Sequence, residues 1–322
     1  MNAALIEIDR LTHRYGERVA LDELTLAIEP GECFAILGPN GGGKTTLFRV
    51  LSTLLRPQQG TLRIAGLDLV QHAREIRAQL GIVFQAPSLD KKLRVSENIW
   101  CQGRLYGLST SVIRERSAAL LHRLGLAERA NDRVETLSGG LKRRVEIAKA
   151  LLHEPTILLL DEPSTGLDPL ARRELWTQVR ELQQTAGITV VFTTHFLDEA
   201  DRADRVAILD AGKLVALDKP STLRAAIASE SLAIETDNPA ELVVAINDKF
   251  QLPARVIDAA VRIEAADAHR WVERLVESFP ERINGIHLGK ATLEDVFIAR
   301  TGKGFYSEAP AVPDEKKKRR AH

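Results

Sequence analysis

Cysteine, aromatic residues and long apolar runs are scarce in this sequence. Its 322 residues include two cysteines, Cys33 and Cys101, which excludes a disulfide framework and a four-cysteine zinc site. The most apolar stretch, residues 157–160, stops at Asp161 and is far shorter than the ~18 to 20 residues of a membrane-spanning helix. The N-terminus carries acidic residues early and has no apolar segment of signal-peptide length. We expect a chain that does not cross a membrane by itself and that works in a reducing, cytoplasmic compartment.

Neither sign of charge dominates. The 44 Lys and Arg residues balance 44 Asp and Glu residues, so the formal net charge is +0. A protein held on nucleic acid by bulk positive charge is excluded, although a local basic patch is still allowed. Hydrophobic residues make up 44% and charged residues 27% of the chain, which is typical of a folded globular protein. At ~150 residues per domain, the length indicates about two domains.

The apolar patterns predict α/β layering with a helical insert in residues 1–222. Runs of period two, or fully apolar runs, predict strands at 5–8, 24–28, 33–37, 157–160 and 188–192. Spacing of 3.6 residues predicts helices after residue 43, through most of 90–152, including one from Ser96 and one at 112–124, and at 170–184. Buried strands that alternate with helices indicate a largely parallel sheet.

A second domain is predicted at residues 231–300. Strands are expected at 232–236, 255–258, 261–265 and 283–288, and helices at 239–249, 269–279 and 292–300. Without the last helix, the order is βαββαβ, which is the α+β pattern of ferredoxin-like domains. Residues 301–322 are expected to form a flexible tail with the basic run KKKRR at 316–320. That run is interpreted as a solvated end, with contact to anionic lipid as the alternative.

A glycine-rich loop follows the apolar run at 33–37. Residues 38–45 read GPNGGGKT, which matches the GxxxxGK[ST] pattern of a phosphate-binding P-loop. Glycines let backbone N–H groups turn toward phosphate oxygens, and the N-terminus of the following helix favours the same anion. Lys44 is predicted to reach the β- and γ-phosphates, Thr45 to hold Mg²⁺ and Thr46 to contact the α-phosphate. The other predicted phosphate ligands are Gly38, Pro39, Asn40, Gly41, Gly42 and Gly43.

Two acidic residues end the apolar strand at 157–160. Ligand sites of α/β proteins lie at the carboxyl ends of parallel strands, where this pair would meet the P-loop. Asp161 is predicted to hold the magnesium ion, directly or through water, and Glu162 to orient or deprotonate the attacking water. The alternative is a solvated acidic pair at a strand end.

A second candidate anion site lies about 95 residues beyond the first. Ser138 is a natural N-cap, and Gly139 and Gly140 allow a phosphate to approach the helix that follows. One nucleotide has no obvious use for two phosphate sites on one chain. Two copies related by a two-fold axis do, because each can close the site of the other. Taken alone, Ser-Gly-Gly is more often an ordinary helix cap.

Together, these motifs resemble the nucleotide-binding subunits of ATP-binding cassette (ABC) transporters, over residues 5 to about 222. The resemblance implies an ATPase that uses ATP and Mg²⁺, with a P-loop NTPase core, an antiparallel β subdomain and a helical subdomain. It implies that residues 137–140 are the signature loop, which reaches the γ-phosphate held by the other copy. It also implies roles for Tyr15 (adenine stacking), Gln85 (Mg²⁺ or water, and sensing of the membrane subunit), Asp168 (dimer interface) and His195 (γ-phosphate). Leu141 and Gly42 depart from the family pattern, which commonly has Gln and Ala or Ser there.

Softer features resemble the type-2 exporter branch, which includes daunorubicin-type resistance ATPases. They are QAPSLD at 85–90, KRR at 142–144 and TLEDVF at 292–297. The resemblance implies a homodimeric motor at the cytoplasmic face of the membrane, bound to a separate permease through helix 96–106 and the Gln85 loop. The expected cargo is a drug, a lipid or a polysaccharide, and no nucleic acid is expected. Two alternatives stay open: a soluble cassette ATPase that acts on ribosomes or nucleic acid, and a binding-only regulator with an inactive site.

Overall fold

Two compact units make up the chain in a computed structural model, which describes residues 4–227, 230–257, 259–265 and 267–306. The boundary between them lies between Thr222 and Leu223. The basic run at 316–320 lies outside the described residues.

Ten strands of the described chain form two sheets in the first unit. In chain order they are β1 (Ile6–Tyr15), β2 (Arg18–Ile28), β3 (Cys33–Leu37), β4 (Gln59–Ile64), β5 (Leu67–Asp68), β6 (Leu80–Val83), β7 (Ile157–Asp161), β8 (Thr189–Thr194), β9 (Arg205–Asp210) and β10 (Lys213–Asp218). The smaller sheet is antiparallel and has the order β2-β1-β4-β5. The larger has the order β10-β9-β3-β8-β7-β6 and is parallel except for the pair β9 and β10.

The parallel sheet brings distant parts of the sequence to one edge. β3 lies between β8 and β9, and β7 pairs with β8. Every residue of β3, β7 and β8 is buried, because helices cover both faces of a parallel sheet. The carboxyl ends of these strands lie side by side, so the glycine loop, the acidic pair and His195 follow neighbouring strands.

Seven α-helices are described in the same part of the chain, and an eighth spans the boundary with the second unit. They are α1 (Lys44–Leu51), α2 (Ala73–Ala78), α3 (Val95–Leu105), α4 (Thr110–Arg123), α5 (Gly139–Leu151), α6 (Pro169–Ala186), α7 (Leu197–Ala200) and α8 (Pro220–Ala225), with short 3-10 turns at Ala127–Arg129 and Val134–Thr136. Helix α3 begins at Val95 rather than at Ser96. Glu97 explains the difference, because its carboxylate accepts the backbone N–H of Arg94 at 2.7 Å.

Strands β4 and β6 were not predicted from the sequence. β4 buries only Leu62 and Ile64, and its first three residues are exposed. β6 has four residues, one of which is Gly81, and it is held by its parallel pairing with β7. Short strands of this kind depend on their neighbours for stability, and periodicity does not detect them.

The second unit contains four strands and three helices among the described residues. They are β11 (Glu230–Glu235), α9 (Pro239–Phe250), β12 (Arg255–Ile257), β13 (Ala260–Ala265), α10 (His269–Ser278), β14 (Gly285–Lys290) and α11 (Leu293–Thr301). The sheet is antiparallel with the order β12-β13-β11-β14. Its core contains Leu232, Ile234, Leu242, Ile246, Val261, Ile263 and Leu275.

The packed chain continues beyond the predicted start of the tail at residue 301. Phe305 is buried, and its ring lies 5.0 Å from that of Phe297 in an edge-on contact. The boundary at 301 was therefore set too early. The sequence signal was misleading because Gly302 and Lys303, which precede Phe305, are typical of a solvated end.

Candidate functional site

The glycine loop between β3 and α1 is closely enclosed by backbone. A Cβ atom on Gly38 would lie 2.4 Å from the carbonyl oxygen of Leu209, and one on Gly43 would lie 2.7 Å from that of Ala20. Gly43 also has a φ of +105°, which L side chains rarely adopt. These two positions are therefore restricted to glycine by contact with neighbouring strands and by backbone conformation.

Helix α1 begins beside a cavity of about 210 Å³, and no side chain caps its N-terminus. Its N-cap is Gly43, and no acidic residue lies in its first turn. The first N–H groups of a helix have no intrahelical acceptor, so those of α1 are suited to bind an anion. The cavity is lined by Tyr15, Arg18, Ala20, Asn40, Gly41, Gly43, Lys44, Thr45, Thr46 and Glu162.

Lys44 carries a buried positive charge in this cavity. Its side chain is 4% exposed, and its Nζ donates to the carbonyl oxygens of Gly38 at 2.7 Å and Pro39 at 3.1 Å. The nearest carboxylate oxygen, Oε1 of Glu162, is 3.8 Å away. Burial lowers the pKa of Lys44, and the charges of Glu162 and Asp161 partly oppose this. A buried cation without a carboxylate at hydrogen-bond distance is well suited to an anionic ligand.

A single hydroxyl holds both acidic residues at the end of β7. Thr193 donates its Oγ1–H to Oδ1 of Asp161 at 2.6 Å and accepts the backbone N–H of Glu162 at 2.9 Å. Burial raises the pKa of Asp161, and the bond from Thr193 opposes the shift. Sequence reasoning missed Thr193. Its role follows from strand register, which the sequence does not give, since Thr193 is the partner of Asp161 in the parallel pair of β7 and β8.

Glu162 lies among four predicted site residues. Its φ of +41° is unusual for a residue other than glycine, and the residue lines the cavity beside the loop. Its Oε2 accepts from Nε2 of Gln85 and from Oγ1 of Thr165, each at 3.2 Å, and lies 3.3 Å from Nδ1 of His195. That buried Nδ1 makes no hydrogen bond among the described residues. The structure thus brings Gln85, Lys44, Glu162 and His195, together with Asp161, into one cluster.

The signature loop and Asp168 lie elsewhere. Ser138 caps α5 by accepting the N–H of Leu141 at 3.3 Å, and Asp168 caps α6 by accepting the N–H of Ala171 at 2.9 Å. None of Ser138, Gly139, Gly140 and Asp168 is among the described residues that line the P-loop cavity of the same chain. Capping is a role of Asp168 that the sequence analysis did not foresee.

Tyr15 lies at the rim of the cavity, 45% exposed, rather than in the core. Its ring meets His13 edge-on at 4.9 Å, which leaves a face of the ring available for stacking. The ring of Tyr15 is therefore an exposed aromatic surface at the cavity.

Replacing Asp161 by Asn is expected to raise the melting temperature of the nucleotide-free protein. The pKa of Asp161 is raised in the folded state from its ordinary value of 3.8, so the ionised carboxylate makes folding less favourable. Between pH 3.8 and the raised pKa, the folded state binds more protons than the unfolded state. The contribution of Asp161 to stability therefore falls as the pH rises through this window. The gain in melting temperature should be larger at pH 6 than at pH 4 in a thermal-shift assay, because the window opens at 3.8.

Asp9→Asn is the matched control for this measurement, because the Asp9 side chain is 59% exposed. It should change the melting temperature little at either pH. A lower melting temperature for Asp161→Asn at neutral pH would contradict the interpretation of Asp161 as a buried, unfavourable charge.

Comparison with known proteins identifies the family of this site. The family model described as "ABC transporter" matches residues 21–165. The daunorubicin resistance ATP-binding protein DrrA3 of Streptomyces coeruleorubidus is 38% identical over 309 residues, which cover 92% of this chain and 96% of the relative. This chain belongs to the ATP-binding proteins of ABC transporters. A Nod factor export ATP-binding protein I of Paraburkholderia xenovorans (strain LB400) is 36% identical over 308 residues, covering 94% of this ABC ATPase and 99% of the relative.

Solved structures agree with this assignment. A cbiO1 structure from Clostridium perfringens, part of an ABC transporter complex, has a TM-score of 0.66 and 28% identity, covering 78% of this ABC ATPase and 97% of that chain. A dimeric ATP-binding cassette, MJ0796, bound to ADP and Pi has a TM-score of 0.59 and 29% identity, covering 66% and 98%. The predictions of an ABC ATPase, of ATP as its nucleotide and of its likeness to drug-resistance and export ATPases are confirmed. Among the described helices, none combines the length and apolar character needed to span a bilayer.

Proposed function

We propose that this ABC ATPase is the motor subunit of an exporter, in which two copies close around ATP and drive a separate membrane permease. Its cargo is a drug, a lipid or a polysaccharide. The names of relatives that confer daunorubicin resistance or export Nod factor support this direction of transport. The observation that carries the proposal is the carboxylate of Glu162, held between Lys44 and His195 above an uncapped helix N-terminus.

The glycine loop binds the phosphates of ATP. Backbone N–H groups of residues 38 and 40–43 and the Nζ of Lys44 bind the β- and γ-phosphates, and Thr46 contacts the α-phosphate. Adenine stacks on the exposed ring of Tyr15. The contacts of Lys44 with the Gly38 and Pro39 carbonyls are those that the phosphates would share or displace.

Thr45, Gln85 and Asp161 would hold Mg²⁺. Their hydroxyl, amide and carboxylate oxygens are the hard ligands that this ion prefers. When bound, the ion would supply positive charge that neutralises the phosphates during transfer. Because the Nε2 of Gln85 donates to Glu162, its Oε1 is the atom left for the metal.

Glu162 is the general base. Its carboxylate orients a water molecule toward the γ-phosphorus and accepts the proton of that water as the bond to the ADP oxygen breaks. His195 contacts the γ-phosphate, and its Nδ1 lies 3.3 Å from a Glu162 oxygen. Thr193 keeps Asp161 and Glu162 in their separate roles, because it bonds the side chain of one and the backbone of the other.

Two copies complete two sites. Ser138, Gly139 and Gly140 contact the γ-phosphate held by the second copy, and Asp168 lies at the interface. This arrangement is supported by their position outside the cavity of their own chain. Cleavage detaches the γ-phosphate as inorganic phosphate, and its release removes the charge that both copies share, so the closed dimer loses stabilisation and opens.

Separate parts of the chain bind the nucleotide, contact the permease and stabilise the dimer. Residues 1–222 are the nucleotide-binding domain, with a helical insert at about 90–152. Helix α3 docks to the permease at the cytoplasmic face of the membrane, which is supported by the exposed side chains of Trp100, Leu105 and Tyr106. Residues 231–300 are a ferredoxin-like domain that stabilises the dimer, in keeping with the βαββαβ order and the strand order β12-β13-β11-β14.

A cross-linking experiment tests this function. Cys101 is exposed on α3 and Cys33 is buried, so a thiol-directed photo-cross-linker selects α3 without mutation. In membranes of cells that express the chain, the labelled protein should capture an integral membrane protein of about six spans, identified by mass spectrometry. A Cys101→Ser, Glu7→Cys variant carries the label on the antiparallel sheet and serves as the control. Capture of ribosomal or nucleic-acid-bound proteins instead would contradict the transporter assignment.

A further inference from the structure

Arg143 lies at the centre of a buried network on the signature helix α5. Its side chain is 7% exposed, and all three of its nitrogens donate hydrogen bonds. Nε donates to the carbonyl of Pro163 at 2.8 Å, and Nη1 to that of Phe84 at 2.6 Å. The remaining acceptors are Oε2 of Glu146 at 2.8 Å and the carbonyls of Asp161 at 3.1 Å and Glu162 at 3.4 Å.

Glu146 extends this network toward Gln85. It is 5% exposed, and its Oε1 accepts the backbone N–H of Ser88 at 2.7 Å. Lys149, one turn further along α5, donates its Nζ to the carbonyl of Ser88 at 2.8 Å. One face of the helix therefore holds the backbone on both sides of Gln85, at residues 84 and 88.

The value of this pair lies in geometry more than in stability. Two buried charges gain little net folding free energy, because desolvation offsets most of their attraction. The planar guanidinium instead joins two segments that are far apart in sequence, residues 84–88 and 161–163. The second segment includes Glu162, whose left-handed backbone needs neighbours to hold it.

We propose that Arg143 and Glu146 are positioning residues that join the signature helix to Gln85 and Glu162 of the same chain. The loop of residues 137–140, at the start of this helix, meets the second copy. Contact between this loop and the second copy thereby affects the position of the Glu162 carboxylate. This inference rests on the proposed roles of the signature loop, Gln85 and Glu162. It predicts an effect on the rate of hydrolysis and little effect on ATP affinity, because neither residue lines the cavity.

A double-mutant cycle that combines changes at Arg143 and Glu162 tests the positioning role. Arg143→Gln should lower kcat about 10- to 100-fold, the effect of a misplaced catalytic group, with the Kd for ATP changed less than about threefold. Arg143→Lys keeps the positive charge but loses the planar set of N–H donors, and it should recover part of the rate. In a Glu162→Gln background, Arg143→Gln should cause almost no further loss, because it acts through Glu162.

Arg116→Gln is the matched control. Arg116 also pairs with a glutamate, Glu154, and donates to a backbone carbonyl, that of Leu152, but at neither catalytic segment. It should keep wild-type kcat. If Arg143→Gln does not fold, Glu146→Gln, which keeps the shape of the side chain, replaces it and should give the same split between kcat and Kd.

The outcomes separate the inference from the proposed function. If the wild type hydrolyses ATP and Glu162→Gln does not, but the folded Arg143 or Glu146 variant keeps full kcat, the positioning role is wrong. Equal losses in kcat and in ATP affinity, or additive losses with Glu162→Gln, also overturn it. If the Glu162 variant hydrolyses ATP as fast as the wild type, the proposed function has failed instead.

Discussion

Replacing Glu162 by Gln is expected to lower kcat for ATP hydrolysis about 10²- to 10⁴-fold, the contribution of a general base. The amide has nearly the shape of the carboxylate and can still accept from Gln85 and Thr165, but it cannot take a proton from water. The Kd for ATP should change less than about threefold, because Lys44 and the glycine loop are untouched. Steady-state phosphate release and a fluorescence titration measure the two quantities.

The same variant should accumulate as a closed dimer with ATP. Light scattering is expected to give twice the chain mass of 35.6 kDa with ATP and Mg²⁺, and the single mass without nucleotide. Glu154→Gln is the control, since Glu154 is 65% exposed and pairs with Arg116 outside the cavity. Rapid steady hydrolysis by Glu162→Gln would rule out its role as base. If only the mass of one chain is found with ATP, the proposal that two copies share the γ-phosphate is wrong.

Replacing Lys44 by Ala is expected to weaken ATP binding about 10- to 100-fold. A hydrogen bond to a charged group contributes ~1.5 to 3 kcal/mol, and ~1.4 kcal/mol corresponds to a tenfold change in Kd. Lys44 is buried and donates to two backbone carbonyls, and the other basic side chain among the described residues that line the cavity, Arg18, is exposed. Titration with a fluorescent ATP analogue measures the Kd.

Lys213→Ala provides the control for charge alone. The Lys213 side chain is 69% exposed and pairs at 3.3 Å with Asp22. Its Kd for ATP should equal that of the wild type, and its melting temperature should be nearly unchanged. An unchanged Kd in Lys44→Ala would mean that the glycine loop binds phosphate without the lysine, or that nucleotide binds elsewhere.

The P-loop was predictable because its chemistry is local. Gly38, Gly43 and Lys44 lie within seven consecutive positions, and the strand before them and the helix after them have strong apolar patterns. The backbone conformation that glycine permits and the helix N-terminus both follow from these few residues. The acidic pair follows a fully buried strand with an equally strong apolar pattern, whereas His195, which also follows a buried strand, was singled out by the family resemblance.

Other site features were not predictable, because their partners are distant in sequence. Arg143 is part of a basic run that resembles a branch signature, yet it is buried and bonds to residues 18 to 59 positions away. Thr193 has no distinctive pattern, and its bonds to Asp161 and Glu162 depend on strand register. Asp168 was predicted from resemblance as an interface residue, and within one chain it caps α6.

The sequence by itself determined the family, the P-loop pattern and the charged residues that cluster around Lys44, because these are short runs whose chemistry does not depend on distant contacts. Only the tertiary structure decided which hydroxyl holds the acidic pair, which guanidinium joins the signature helix to it and where the packed chain ends. Those outcomes follow from the order of parallel strands and the packing of α5, which bring residues far apart in the chain within hydrogen-bond distance.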